Sequence, residues 1–218
     1  MRIKKEEEKM YIDLKNEKDF AKLEEPAKII RNGGIVVFPT ETVYGIGANA
    51  LNAEAVRKIY QIKQRPQAKP ISLLVDSIEM IEKVAKSITP LEYAIIKEFF
   101  PGPLTIILNK KDIIPDIVTA KGKTVGIRMP KNEIALELIK RAGVPLATPS
   151  ANISDKPSKT NIEDVINDFP NGVDCFIDGG ESKIGVASTI VQVINEEPHI
   201  LRKGIITEEQ IKNIKIPD

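Results

Sequence analysis

The chain has little of what most often carries stapling, metal or acid–base chemistry. Its 218 residues include one cysteine, Cys175, one histidine, His199, and no tryptophan. A single cysteine excludes an internal disulfide framework and any multi-cysteine metal site, and it fits a reducing compartment. A single histidine excludes zinc sites built on two or three imidazoles, and most cysteine–histidine catalysis. No run approaches the roughly 18 apolar residues of a membrane span. The charged start MRIKKEEEKM lacks the apolar centre of a signal peptide. These absences lead us to expect a soluble, cytoplasmic protein without membrane contact.

Neither sign of charge is in excess. Thirty-two Lys and Arg face 31 Asp and Glu, for a net charge of +1. Nothing global therefore draws the chain to nucleic acid. Arginine is scarce, with only seven among those bases, whereas isoleucine is abundant. A composition rich in Lys, Glu and Ile fits a heat-adapted or AT-rich source. The scarcity makes each arginine in a turn or beside a proline informative, because lysine cannot replace a planar fork. One domain is expected at this length, with roughly 70% of the unfolded surface buried on folding.

Apolar spacing predicts alternating elements, with no internal repeat. Residues 1–10 alternate in charge sign and read as a disordered tail, with Met10 as an alternative start. A helix is expected over 17–32, with Pro26 tolerable only in a first turn and Asn32-Gly33-Gly34 as its stop. The run 35–38 reads as a buried strand. Asn52 to Gln64 reads as a helix whose stripe is Ala55, Val56, Ile59 and Tyr60, ended by Pro66. Strands are expected at 71–75, 104–108, 125–129, 146–148, 174–178 and 188–194. Helices are expected at 77–86, 90–100, 132–142 (closed by Gly143) and 161–168. The interleaving argues for an α/β, or mixed α+β, sheet.

Five fragments carry chemistry. The segment from Pro39 to Ala50 contains Gly45-x-Gly47-x-x-Ala50, which matches a dinucleotide fingerprint in form only. Six residues separate it from the strand ending at Phe38, and the next helix starts near Asn52. A ligand-binding loop, or a turn that uses its glycines, remains. In Lys63-Gln64-Arg65-Pro66, steps of four from Ala55 through Ile59 bring Lys63 onto the apolar stripe. It is either a snorkelling lysine that favours the helix end by about 0.3–1 kcal/mol, or one of a cation pair facing a polyphosphate.

On a strand, Thr124, Gly126 and Arg128 share one face, opposite Val125, Ile127 and Met129. That pattern fits a ligand surface with room over the glycine, or an exposed edge. Thr148-Pro149-Ser150-Ala151-Asn152, then Lys156-Pro157-Ser158, supply neutral donors and acceptors or a side-chain-capped turn. Ordinary turn chemistry suffices for the fifth signal, GVASTIV with LRKG.

Taken together, PTETVYGIGANA, KQRP with a later KP, PGPLT, GIRMP, TPSAN with KPS, a DGG loop, GVASTIV and ILRKG resemble the YrdC-type family. The likeness spans residues 11–206 and leaves 207–218 as a C-terminal helix or tail. It implies a single-domain twisted open sheet with flanking helices and a concave, electropositive cavity. The implied activity is that of a nucleotidyltransferase. L-Threonine, bicarbonate or CO2 and ATP would yield threonylcarbamoyl-adenylate and pyrophosphate, for threonylcarbamoyladenosine in tRNA.

By motif match, Lys63, Arg65, Ser150 and Asn152 fall on the family's nucleotide-binding quartet, the two cations as its catalytic members. Thr124, Ser158 and Arg202 fall on further ATP contacts. Thr40, Arg128, Thr148 and Ser188 fall on threonine contacts. Two departures stand out: Leu74 replaces a histidine of some long members, and a short form without their extra C-terminal domain is expected.

The implied nucleophile, N-carboxy-threonine, is already anionic. The step then needs positioning and charge neutralisation rather than a strong base. Mg2+ is expected on the ATP phosphates, with no dedicated protein site, and Glu41 is the nearest acidic side chain. A downstream threonylcarbamoyl transferase acting on tRNA is the implied functional partner. One alternative within the family is carbamoyl-adenylate formation, disfavoured because the fused portions that accompany it are missing. The other is a double-stranded RNA-binding module, which the neutral charge argues against.

Overall fold

The computed structural model describes residues 9–214. The expected tail over 1–8 and the last four residues lie outside the described residues. Among the described residues ten strands form one mixed sheet, and seven α-helices flank it. The first strand, β1 (Met10–Asp13), begins inside the stretch expected as tail, and it runs parallel to β8 (Cys175–Asp178). β8 in turn pairs in parallel with β2 (Val36–Phe38). The centre is completed by β3 (Gly45–Asn49), β7 (Leu146–Ala147), β4 (Leu73–Leu74), β6 (Thr124–Arg128) and β5 (Leu104–Asn109). β9 (Thr189–Ile194) and β10 (Glu197–Arg202) form the far edge. The order across the sheet is β1-β8-β2-β3-β7-β4-β6-β5-β9-β10.

The helices follow the spacing rules with one shortening. Helix α1 spans Glu24–Arg31, whereas a 3₁₀ turn occupies Phe20–Leu23. The predicted helix over 17–32 is cut there because the ring of Pro26 clashes with the carbonyl four residues back in α geometry. Downstream lie α2 (Ala53–Ile62), α3 (Ile78–Val84), α4 (Pro90–Phe99), α5 (Glu133–Ala142), α6 (Ile162–Asp168) and α7 (Glu208–Lys212). In α5 the Asn132 side chain accepts from Ala135 N at 3.0 Å, and Gly143 ends the helix at φ +67°. Ile134, Leu138 and Ile139 are then buried, with α5 packed on α1 and the 3₁₀ turn before it. Among the described residues no helix is long and apolar enough to cross a membrane.

Two sequence expectations are corrected. The glycine segment is not a loop: Gly45–Asn49 is β3, paired antiparallel to β2. Its glycines are there for space. A Cβ on Gly45 would meet Thr148 Cγ2 at 2.7 Å, and one on Gly47 would meet the Phe38 ring at 2.6 Å and Thr148 Oγ1 at 3.1 Å. Likewise β6 is no edge, since β4 and β5 flank it. The space over Gly126 is taken by protein, because a Cβ would meet Ser72 Oγ at 2.6 Å and Thr105 Cγ2 at 3.1 Å. Gly47→Ala should therefore overpack the β2–β3–Thr148 contact and cost about 1–3 kcal/mol of stability. Urea unfolding checks this, and an unchanged midpoint would contradict it.

Candidate functional site

The site begins where α2 ends. Lys63 continues the Ala55–Ile59 stripe one turn further, so its side chain enters the interior and is only 1% exposed. Its ammonium donates to Ser150 O at 2.6 Å and to Asn152 O, and it lies 6.0 Å from the centre of the Phe169 ring. In return Ser154 N donates to Lys63 O at 3.0 Å. The neutral members of the loop complete the clamp: Ser150 Oγ donates to Asn152 Oδ1 at 2.5 Å, and Asn152 Nδ2 donates to Lys156 O at 2.7 Å. Lys63, Ser150 and Asn152 are therefore one hydrogen-bonded unit. Burial, and then repulsion from the Arg65 guanidinium, pull the Lys63 pKa down to about 7, with Asp168 opposing.

Just past Lys63 the chain turns at Gln64, and Arg65 emerges. Its guanidinium donates to the carbonyls of Lys69 and Pro70 at 3.1 and 2.8 Å. It stands at one end of a cleft of about 200 Å³ whose wall also includes Thr42, Ser72, Leu74, Thr105, Arg128, Thr148, Ser150, Ser188 and Arg202. β6 carries Arg128 into that wall, with Nε donating to Gly102 O at 3.2 Å and Nη2 at 2.7 Å from Glu41 Oε2. From β10, Arg202 donates to Ser188 O through Nε at 3.0 Å and through Nη2 at 2.9 Å. Ser188 Oγ in turn lies 2.8 Å from Thr105 Oγ1.

The cleft is strongly cationic. Solvent reaches Arg202, yet the surrounding wall desolvates it enough to lower its pKa, and repulsion from Arg128 and Arg65 lowers it further. Arg65 is also lowered, mainly by burial. Three of the seven arginines thus converge on one hydroxyl-rich cavity, with Glu41 beside Arg128.

Six of the eleven expected site residues form the wall: Arg65, Arg128, Thr148, Ser150, Ser188 and Arg202. Lys63 and Asn152 stand behind it and hold the Ser150 loop. Thr40 is buried in its own turn, donating to Val43 O at 2.6 Å, with its Oγ1 2.9 Å from Thr42 Oγ1. That turn presents Thr42, rather than Thr40, to the cavity. Thr124 opens β6 opposite Asn109, and Ser158 lies in the loop before α6; neither is in the wall. The motifs did not single out Thr42, Ser72 or Thr105. The available signal was Gly126, whose missing side chain makes room for two of them.

Among the described residues no group of three Cys, His, Asp or Glu side chains could hold a metal ion. The lone cysteine, Cys175, is buried in β8, with its thiol pushed up to about 12 by burial and by Asp174. His199 is exposed on β10, outside the wall.

Comparison with known proteins places this architecture. The Sua5/YciO/YrdC family model, described as "Telomere recombination", matches residues 28–204. A threonylcarbamoyl-AMP synthase of Pyrococcus abyssi is 45% identical over 188 residues, covering 86% of this chain and 55% of that protein. One of Bacillus subtilis is 43% identical over 189 residues, with the same two coverages. The chain thus spans about half the length of these curated relatives. The crystal structure of P. abyssi Sua5 complexed with L-threonine superposes with a TM-score of 0.90 at 43% identity, covering 93% of this chain and 59% of that one. On the extent of the family match and on these identities, the chain belongs to the Sua5/YciO/YrdC family.

Proposed function

We propose that this chain makes L-threonylcarbamoyl-AMP from L-threonine, bicarbonate or CO2 and ATP, releasing pyrophosphate. The observation that carries this is the convergence of Arg65, Arg128 and Arg202, backed by Lys63, on one hydroxyl-lined cleft. The relatives' names, and the L-threonine complex of one of them, support the same reading.

The residue types suit the step. A carbamate carboxylate on threonine attacks the α-phosphorus of ATP, and the bond to the pyrophosphate oxygen breaks. Negative charge grows on phosphate oxygens, and guanidinium groups fixed before the reaction stabilise it at low reorganisation cost. Arg65 and Arg202, both lining the cleft, suit the polyphosphate, while Arg128, beside Glu41, suits the amino-acid carboxylate. The hydroxyls of Thr148, Ser150 and Ser188 offer neutral contacts that both receive and give hydrogen bonds. Magnesium would ride on the ATP phosphates and neutralise part of their charge. The product's fate is transfer to tRNA by a separate threonylcarbamoyl transferase.

The primary test is pyrophosphate release with threonine and bicarbonate each present or omitted. Release is expected only with both, and release independent of threonine would overturn the proposal. Arg65→Ala should cut turnover at least about 100-fold, roughly 2.7 kcal/mol of barrier. It should do so with the fold intact, because the guanidinium bonds two turn carbonyls rather than core groups. Near-normal turnover would remove Arg65 from the site.

Lys63 adds a pH dependence. Its pKa is near 7 in the ligand-free protein, and a nearby polyanion favours the ammonium and raises it. ATP binding should then be strongest below pH 7, where Lys63 already carries its proton. As pH rises through 7, affinity should fall by up to about tenfold per unit, with one proton taken up on binding. Calorimetry in buffers of different ionisation enthalpy measures that proton, and its absence at pH 8 would exclude Lys63 as the responding group.

A further inference from the structure

Glu41 is a buried carboxylate whose bonding capacity is unused. Among the described residues neither of its oxygens has a hydrogen-bond partner, and its one ion-pair neighbour is Arg128 Nη2 at 2.7 Å. That approach brings opposite charges together without hydrogen-bond alignment, so Arg128 Nη2 is also left without one. A carboxylate sealed from water with its lone pairs unfilled is costly unless a donor arrives to fill them.

The surroundings hold Glu41 in place. Ile184 N donates to Glu41 O at 3.0 Å, and Gly185 N donates to Thr42 O at 2.8 Å, so a neighbouring strap fixes the backbone on both sides. The next two residues, Thr42 and Val43, are cleft wall, as is Arg128. Arg128 faces the cavity, and Glu41 lies directly behind it, outside the wall itself, with positive and negative charges in contact and no net charge.

We propose that Glu41 receives the α-ammonium group of the amino-acid substrate while Arg128 receives its carboxylate, so that the pair reads the zwitterion. This rests on the amino-acid half of the function proposed above. The physical logic is charge balance. A zwitterion entering the pair replaces each partner's counter-charge and leaves nothing uncompensated. A ligand with the carboxylate alone takes Arg128 and strands Glu41 as an unpaired buried charge, the strongly penalised situation. Glu41 thus makes the amino group a requirement for binding.

The test measures binding, not turnover. L-Threonine and 2,3-dihydroxybutanoate, in which a hydroxyl replaces the amine, are titrated calorimetrically into the full chain, wild type and Glu41→Gln. ATP is titrated separately as a control. The wild type should prefer threonine by about tenfold or more, and Glu41→Gln should reduce that preference below about threefold with ATP affinity unchanged. A preference that survives in Glu41→Gln overturns the assignment, as does an equal loss for threonine, the hydroxy acid and ATP. If circular dichroism shows Glu41→Gln unfolded, Glu41→Asp replaces it, keeping the charge while shortening its reach. A reduced preference then supports the role, and an unchanged one overturns it. A wild type that binds no threonine at all overturns the amino-acid half of the proposed function together with this assignment. A wild-type preference that Glu41→Gln retains overturns this assignment alone.

Discussion

The buried ammonium of Lys63 is the constraint on which the rest of the site depends. Moving an ammonium out of water costs several kcal/mol even after relaxation, and here the offset comes from the carbonyls of Ser150 and Asn152 and the face of Phe169. Those carbonyls belong to a loop with no regular structure of its own, so the lysine and the loop determine each other's position. The loop is then laid against β3: Ile46 N donates to Pro149 O at 3.1 Å, and Ala151 N donates to Tyr44 O at 2.7 Å. Two motifs about a hundred residues apart in the chain, TVYGIG and TPSAN, are in this way one piece of structure. The strand carries the loop, and the end of α2 locks it.

The cleft beside that lock exists because glycines remove material at defined points. Gly45 and Gly47 leave space for Thr148 to lie over β3, and Gly126 does the same for Ser72 and Thr105 on β6. None of these three glycines has a positive φ, so conformational freedom is not their use. Each lets a hydroxyl side chain from a neighbouring element lie close to a strand backbone, and the hydroxyls so admitted become the cavity wall. The arginines then enter from three directions, at the end of α2, the end of β6 and the end of β10, which no single element could achieve.

Much of this was legible in the sequence, for identifiable reasons. A 3.6-residue period is independent of the rest of the fold. Stepping along α2 therefore brought Lys63 to the apolar face, where the structure buries it. The strand alternation likewise put Thr124, Gly126 and Arg128 on one side. What escaped depends on tertiary neighbours. A glycine that makes room for Thr148 looks, in sequence, like a glycine that turns the chain, and β3 was read as a loop for that reason. Thr40 carries the conspicuous hydroxyl of its motif, yet its bonds to Val43 and Thr42 use it up. Which hydroxyl of the turn lines the cavity is set by tertiary placement, and there it is Thr42. The first strand escaped because four residues with one buried side chain give little pattern to detect.

The near neutrality of the whole chain is no obstacle to a cationic cleft. It is a consequence of where the charges lie. Several surface lysines face Asp or Glu, as in the pairs Lys18–Glu133 and Lys86–Asp112, and exposed pairs of this kind cancel at long range and contribute little to stability. The cleft groups have less of that compensation: they are the planar cations of an arginine-poor chain, and among the described residues Glu41 is the one carboxylate in a close ion pair with them. Such a cavity attracts a polyanion locally without giving the molecule a field that would collect nucleic acid indiscriminately. It also explains how the chain can do without the usual side chains of acid–base chemistry. With His199 exposed outside the cavity wall and the Cys175 thiol held protonated by burial, what the cleft mainly offers is the positive charge of its arginines. Such a cleft suits the proposed reaction, whose carbamate nucleophile arrives already charged.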